Sequence, residues 1–165
     1  MQLEELFDYK NKFMENILTN PTIVKLIDEN ATVETAGELV YKNVFPLEYI
    51  PTTLHDGITF VCIDVDIQSA ISKTYLVPVI YVWVCSHRSR LRLPEGGVRI
   101  DKLCTEICKQ INGSREFGLG ELNLSSIRRF APVTDYQGRC MMFTAKEFNR
   151  QYDPNKYTPA NRKNN

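Results

Sequence analysis

Histidine is scarce in this sequence, and neither sign of charge is in excess. His55 and His87 are the only histidines among 165 residues, and 20 Lys and Arg residues balance 20 Asp and Glu residues. Neither histidine lies in a recognisable catalytic motif, which gives nucleophilic catalysis through a histidine base little support. A chain without net charge has no overall field that draws it to nucleic acid or to a membrane, although a local basic patch would still do so.

Long apolar runs are also missing. A membrane-spanning helix needs about 18 consecutive apolar residues, and the best candidate stretch is interrupted by Pro78. Met1 is followed by an acidic segment instead of the basic start and apolar run of a secretory signal, so we expect an intracellular protein with no membrane partner. The five cysteines are odd in number and lie in apolar segments, which favours reduced, buried thiols over a disulfide framework.

The stretch from residue 58 to residue 87 is the most regular part of the sequence. Residues 58–67 and 74–87 are rich in Val, Ile and aromatic side chains, which predicts two long strands joined by a polar connection. In the first strand alternate residues are apolar, and Asp64 and Asp66 lie on the other face. The second strand is apolar on both faces, so we expect helices, a second sheet or another subunit to cover its second face.

Helical periodicity occurs before and after this pair of strands. Apolar residues recur at helical spacing over residues 3–18, after Pro21 and over residues 33–41, which predicts three N-terminal helices. A clearer amphipathic pattern covers residues 99–112, and Gly113 is well placed to cap that helix.

Two more strands are predicted near the C-terminus, at residues 122–130 and 139–148, with Gly138 in the turn between them. The order of elements predicts an α+β fold: an antiparallel or mixed four-stranded sheet of two β-hairpins, one helix packed across it, and additional N-terminal helices. The N-terminal helices either cover the opposite face of the sheet or extend outward. We expect residues 1–150 to form this single domain and residues 151–165 to be a flexible tail.

Few residue sets have the spacing of a catalytic or metal site. Cys104 and Cys108 lie one helical turn apart, but both are on the apolar stripe, which favours core packing over zinc. Asp64 and Asp66 form the kind of carboxylate pair that holds a divalent ion in a nuclease, although no other acidic cluster accompanies them. A solvated strand face is the favoured interpretation, and a small metal-dependent nuclease that also uses His87 is the alternative. No metal and no cofactor are predicted.

The candidate contact residues are arginines and residues of one loop, residues 44–57, that contains Pro46 and Pro51. Arg88, Arg90 and Arg92 alternate along the chain and share one face if their segment is extended. Arg128 and Arg129 lie on a later strand. Such charges either keep an edge strand from aggregating or bind phosphates or acidic partner loops. In the loop, the candidate subunit or partner contacts are Phe45, Tyr49 and Ile50.

Four stretches of the sequence resemble a known group of viral proteins. They are VYKNVFPLEYIPTT, ITFVCIDVDI, IYVWVCSHRS and INGSREFGLGELNL, and the resemblance covers about residues 37–149. In these stretches the chain is similar to tail-completion or neck proteins of tailed bacteriophages, and its order of elements is similar to that of tail terminator proteins. The resemblance implies a virion structural protein of the neck and tail that is assembled in the cytoplasm of the host bacterium.

The resemblance also implies partners. Tail terminator subunits form a ring, typically a hexamer, that caps the tail tube and joins it to the neck. We therefore expect a non-enzymatic subunit that associates with itself, with the tail tube and with neck or head-completion proteins. The lumen of the ring would allow passing contact with DNA. A metal-dependent nuclease or another nucleic-acid enzyme is the alternative, and a general interaction module of a bacterial host is a third hypothesis.

Overall fold

The computed structural model describes residues 5–49, 57–70, 75–116, 120–145 and 147–148. Within these residues two antiparallel hairpins form one sheet together with shorter strands, and three α-helices pack on it, which confirms the predicted α+β fold. The predicted C-terminal tail, residues 151–165, lies outside the described residues, as does the candidate contact Ile50.

Two helices begin the described chain and confirm two of the predicted N-terminal helices. They are α1 (Glu5–Leu18) and α2 (Pro21–Ile27). The side chain of Asn20 between them accepts hydrogen bonds from the backbone N–H groups of Thr22 and Ile23, at 2.9 and 3.3 Å. This cap satisfies donors that the first turn of α2 leaves free, so the chain ends one helix and begins the next within three residues.

The expected third helix over residues 33–41 is wrong. Only a 3₁₀ turn, Ala36–Leu39, forms in this segment. Gly37 and the β-branched residues around it lower the helix propensity of the segment. Tyr41 then takes a positive φ of 60°, which no right-handed helix contains.

The first hairpin is the longest part of the sheet. Strand β2 (Thr59–Ala70) pairs with strand β3 (Tyr75–His87), and the register shifts at a bulge between Ile67 and Ser69. Pro78, which has no N–H to donate, lies opposite Ile67 where the bulge begins. A two-residue strand β1 (Val44–Phe45) pairs in parallel with Val61 and Cys62 near the start of β2 and was too short for the sequence pattern to predict.

The predicted amphipathic helix is confirmed, whereas the residue that caps its C-terminus is Asn112, whose N–H donates to the Cys108 carbonyl oxygen. Helix α3 covers Arg99–Ile111, and Gly113 follows it with a φ of 81°, a backbone conformation that favours glycine. The Gly113 N–H donates to the carbonyl oxygen of Leu122 at 2.6 Å, so the end of α3 is tied to the start of the next strand.

The second hairpin joins the first through its later strand. Strand β4 (Asn123–Phe130) pairs with β5 (Tyr136–Thr144), and β5 pairs with β3. A short strand β6 (Glu147–Phe148) pairs with the start of β3. The order across the sheet is β1-β2-β3-β5-β4, so β4 is an edge strand within the described chain. The four long strands confirm the predicted pair of hairpins.

Gly138 does not lie in the hairpin turn, contrary to the sequence prediction. It is inside β5, opposite Cys85 of β3, and the turn lies at residues 131–135. A Cβ atom at position 138 would lie 2.4 Å from the carbonyl oxygen of Val84 and 2.6 Å from the sulfur of Cys85. Glycine is required here because two backbones approach closely, and not because a turn needs a special φ.

All three helices lie on one face of the sheet. The main core contains Phe13 and Ile17 of α1, Leu103 of α3, and Ile63 and Ile80 of the sheet, and each of these side chains is fully buried. Burying one side chain of this size contributes about 1.5–3 kcal/mol. The N-terminal helices therefore share a face with α3, which corrects the expectation that they cover the opposite face or extend outward.

None of the helices in the described ranges is long and apolar enough to cross a membrane.

Candidate assembly surface

One face of the sheet has no helix packed on it among the described residues, and we call it the open face. Alternation along β3 places Tyr81 and Trp83 there, together with Cys140 of β5 and Phe130 of β4. The Tyr81 and Trp83 rings stack with centroids 5.6 Å apart, and the Trp83 and Phe130 centroids are 6.5 Å apart. All three rings are only half-buried. We call these three rings the aromatic centre. Aromatic residues are enriched at protein interfaces, so the aromatic centre is suited to contact with a partner.

One end of the open face is filled by a second, smaller cluster. In it Phe45 stacks on Tyr49, with ring centroids 4.2 Å apart and planes 13° apart, and both rings meet the edge or face of Phe60. Phe45 is 8% exposed, so its ring packs mainly within the chain, whereas Tyr49 is half-buried at the rim. The buried members of the cluster are Phe45, Phe60, Cys62, Cys85 and Tyr136.

The condition under which Arg88, Arg90 and Arg92 would share one face is not met, because their segment is not extended. Arg88–Arg90 is a 3₁₀ turn, capped by His87, whose Nδ1 accepts from the Ser89 N–H at 3.3 Å. Leu91 and Leu93 pack against the core, and the His87 cap stabilises the turn that precedes them.

Arg88 lies at the end of the sheet where β4 ends. Its N–H donates to the Asp135 carbonyl at 2.8 Å, and its Nε lies 3.3 Å from the Asp135 carboxylate. Both side chains of this ion pair are at least half exposed, at 72% and 50%, so the pair contributes at most about 1 kcal/mol to stability. The Arg88 guanidinium is therefore still accessible to a partner.

Arg128 and Arg129 both lie exposed on the edge strand β4, with their side chains on opposite faces. Arg129 Nη2 donates to Gln137 Oε1 at 3.2 Å on the helix-covered face. Arg128 projects on the open face, paired across the ladder with Cys140, and it has no ion pair within the described part of the chain. The structure thus brings Arg128 beside the aromatic centre.

Arg99 is a structural arginine that the sequence did not single out. It is 4% exposed at the first position of α3. Its Nε donates to the Arg90 carbonyl at 2.8 Å, Nη1 to the Leu26 carbonyl at 3.1 Å, and Nη2 to Glu29 Oε1 at 2.5 Å. An arginine in the first turn of a helix has no sequence signal that separates it from an exposed one, so tertiary structure alone shows its role.

The aspartates and the histidine of the nuclease alternative do not form one site. Asp64 pairs with Lys10 of α1 and also accepts a hydrogen bond from the Val65 N–H at 2.8 Å. Asp64 lies opposite Tyr81, and His87 is six residues farther along β3, which puts it about 20 Å away. Across the described ranges no group of three His, Cys, Asp or Glu residues could hold a metal ion.

The cysteines are free thiols, as the sequence predicted. Burial raises the pKa of Cys62 to about 12 and that of Cys104 to about 12, because the thiolate would lose its hydration. Burial also raises the pKa of Cys140, which is half-buried on the open face. These thiols are therefore protonated near neutral pH, which makes them poor nucleophiles and poor metal ligands.

The comparisons with known proteins place the chain in one family. The family model YomW matches residues 10–145, a range that includes most of α1 and every element from α2 to β5. No curated protein matches the chain.

Proposed function

The chain belongs to the YomW family, and from this premise we propose that it is a structural subunit of a bacteriophage head–tail connection. YomW is a protein of a Bacillus phage region, which supports a phage origin. We assign the chain to the tail terminator or tail-completion position, where subunits form a ring, six-fold by the resemblance, at the neck end of the tail tube.

The open face is the observation that carries this proposal. A ring subunit has to contact two neighbours and also the tube below it, so much of its surface is covered only in the assembly. Here the helices pack on one face of the sheet, and the half-buried rings of Tyr81, Trp83 and Phe130 are left on the other. A monomeric enzyme of this size would gain from covering these rings within its own chain.

The remaining partners follow from the same position. The tail tube and the neck or head-completion proteins contact the ring from its two sides, and DNA passes through its lumen without specific recognition. Arg88, Arg90 and Arg92, next to the turn that ends β4, are proposed to contact acidic loops of these partners. The protein acts in the virion, and its assembly takes place in the cytoplasm of the host bacterium.

A metal-dependent nuclease has less support. The two aspartates lie on the open face, but Lys10 neutralises one of them, and His87 caps a local turn. A two-metal or one-metal phosphodiester site brings its ligands and its base within a few ångströms of one another, which this arrangement does not do.

Mass in solution is the first test. Sedimentation velocity over a wide range of concentration should give a closed oligomer, and negative-stain electron microscopy should show rings and capped tail tubes. Tyr81→Lys on the open face should weaken self-association. Val33→Lys, which changes a residue 43% exposed near the 3₁₀ turn after α2, is the matched control and should not.

A monomer at every concentration that also fails to bind purified tail tubes would contradict the proposal. If Tyr81→Lys and Val33→Lys weaken association equally, the open face is not the surface through which subunits associate.

A further inference from the structure

The two open edges of the sheet carry charges of opposite sign. On one side β4 ends the sheet and exposes Arg128 and Arg129. On the other side β1 pairs only with Val61 and Cys62, so the later part of β2 has no neighbouring strand among the described residues. This acidic edge carries Asp64 and Asp66.

Of these charges, Asp64, Asp66 and Arg128 lie on the same face and at nearly the same height of the sheet, whereas Arg129 lies on the helix-covered face. Asp64 is paired with Tyr81, Tyr81 with Met142, and Met142 with Ser126, two residues before Arg128. Paired residues share a face, so Asp64, Asp66 and Arg128 all lie on the open face. Three strand spacings separate the acidic and basic edges, a distance of about 14 Å. That distance exceeds the screening length of about 8 Å at physiological salt, so the two edges do not neutralise each other within one copy.

The decisive side chains are available for a partner. Within the described chain neither Asp66 nor Arg128 makes an ion pair, and both are exposed. Asp64 is balanced by Lys10 and holds the Val65 N–H, so it also blunts backbone pairing at this edge. Contact at this edge is therefore made by side chains, with Asp66 as the free acid.

We propose that the ring is built head to tail, with the basic β4 edge of one copy against the acidic β2 edge of the next. This inference rests on the proposed ring function and specifies its contact. Pairing two like edges would set arginine against arginine or aspartate against aspartate, which opposes a two-fold contact. A heterologous contact between different surfaces forms a closed ring when its rotation closes. It also places the neighbouring copy beside the half-buried aromatic centre that lies between the two edges.

Charge reversal in two variants tests the contact. The first variant, Arg128→Glu with Arg129→Glu, has two acidic edges. The second variant, Asp66→Arg, has two basic edges, because Lys10 already balances Asp64. We expect each variant alone to associate about 100-fold more weakly or worse, since like charges across an interface are strongly unfavourable. Mixed one to one, the two variants should associate again, because every contact in an alternating ring then joins opposite charges.

The control is Lys12→Glu with Lys25→Glu, which changes as much charge at two exposed helix positions and should associate like the parent. Thermal melting checks that every variant is folded, and sedimentation velocity at low and high salt measures association. Parent-like association of either charge-reversed variant, or a mixture that stays monomeric, would overturn the head-to-tail contact. If the parent itself is an oligomer in that experiment, the ring proposal survives this failure. If the parent is a monomer at every salt concentration, both the head-to-tail contact and the ring proposal fail.

Discussion

Replacing Arg99 tests whether one buried cation holds the N-terminal helices to α3. Its guanidinium bonds to Leu26 near the end of α2, to Glu29 just after α2, and to Arg90 in the 3₁₀ turn before α3. The end of α2 thus meets the 3₁₀ turn and the start of α3 at one side chain, although Leu26 and Arg99 are 73 residues apart in the sequence. Arg99→Met keeps an unbranched apolar stem of similar reach but removes all three donors, so it isolates the polar contribution.

The expected magnitude comes from the partners left behind. The Leu26 and Arg90 carbonyl oxygens would lose their donors from Arg99, and each buried acceptor without a partner costs about 1–3 kcal/mol. Glu29 adds little, because its side chain is 58% exposed and becomes hydrated again. We therefore expect Arg99→Met to lower the free energy of unfolding by about 2–5 kcal/mol. Glu29→Gln, which removes the ion pair but keeps both carbonyl bonds, should lower it by less than about 1 kcal/mol.

Urea unfolding followed by circular dichroism measures both changes under the same conditions. Arg99→Lys is a useful third variant, because one ammonium group cannot reproduce the fixed fork of donors and should fall between the other two. A loss for Arg99→Met no larger than that for Glu29→Gln would refute the reasoning. It would mean that water replaces the guanidinium at both carbonyl groups without cost.

Three further results are expected. The purified chain should not cleave DNA with magnesium or manganese; metal-dependent cleavage that disappears in Asp64→Ala with Asp66→Ala would contradict a purely structural role. In native protein, alkylation followed by mass spectrometry should modify the half-buried Cys140 before Cys62, which is fully buried and has a pKa raised to about 12. Association should then protect Cys140, and equal rates at the two thiols would be inconsistent with this burial. Changing Arg88, Arg90 and Arg92 together to serine should alter the free energy of unfolding by no more than about 1 kcal/mol. The ion pair in this segment is exposed, and Arg99 bonds only to the backbone carbonyl of position 90, which the change keeps. The change should still reduce binding to purified tail tubes, so early melting or undiminished binding would count against the contact role of Arg88, Arg90 and Arg92.

The long elements could be predicted from the sequence because each has its own local signal. Two strands of β-branched and aromatic residues and one helix with a full apolar stripe are specified by period alone, and they appear nearly at the predicted residues. Short or context-dependent features could not be found in this way. Residues 33–41 have apolar side chains at helical spacing, yet tertiary packing and Gly37 leave only a 3₁₀ turn.

Gly138 was rightly identified from the sequence as a position that needs glycine, but the reason assigned to it, a turn, was wrong. Glycine after a polar stretch is typical of a turn, and the sequence offered no reason to expect close packing there. The close contact exists because β5 pairs with β3, which brings Gly138 against the backbone of Val84. That pairing joins residues more than fifty positions apart, so no local pattern contains it.

The candidate surface depends on the same long-range choice. Sequence patterns gave two hairpins, but not which strand of one pairs with which strand of the other. The β3–β5 pairing puts β2 and β4 on opposite sides, and this alone separates Asp66 from Arg128 across the sheet. Had β2 paired with β4, the same residues would lie together in the middle of one sheet and would neutralise each other.

The two faces of β3, which are both apolar, are not buried to the same extent. On the helix-covered face Ile80, Val82 and Val84 are fully buried. On the open face Cys85 is buried within the second cluster, whereas Tyr81 and Trp83 are only half-buried. Each apolar Å² left in water forgoes about 25 cal/mol, so these rings favour any neighbour that covers them. In the ring that we propose, charges at the edges set which neighbour that is and in what orientation, while the rings supply the apolar area that exposed ion pairs lack.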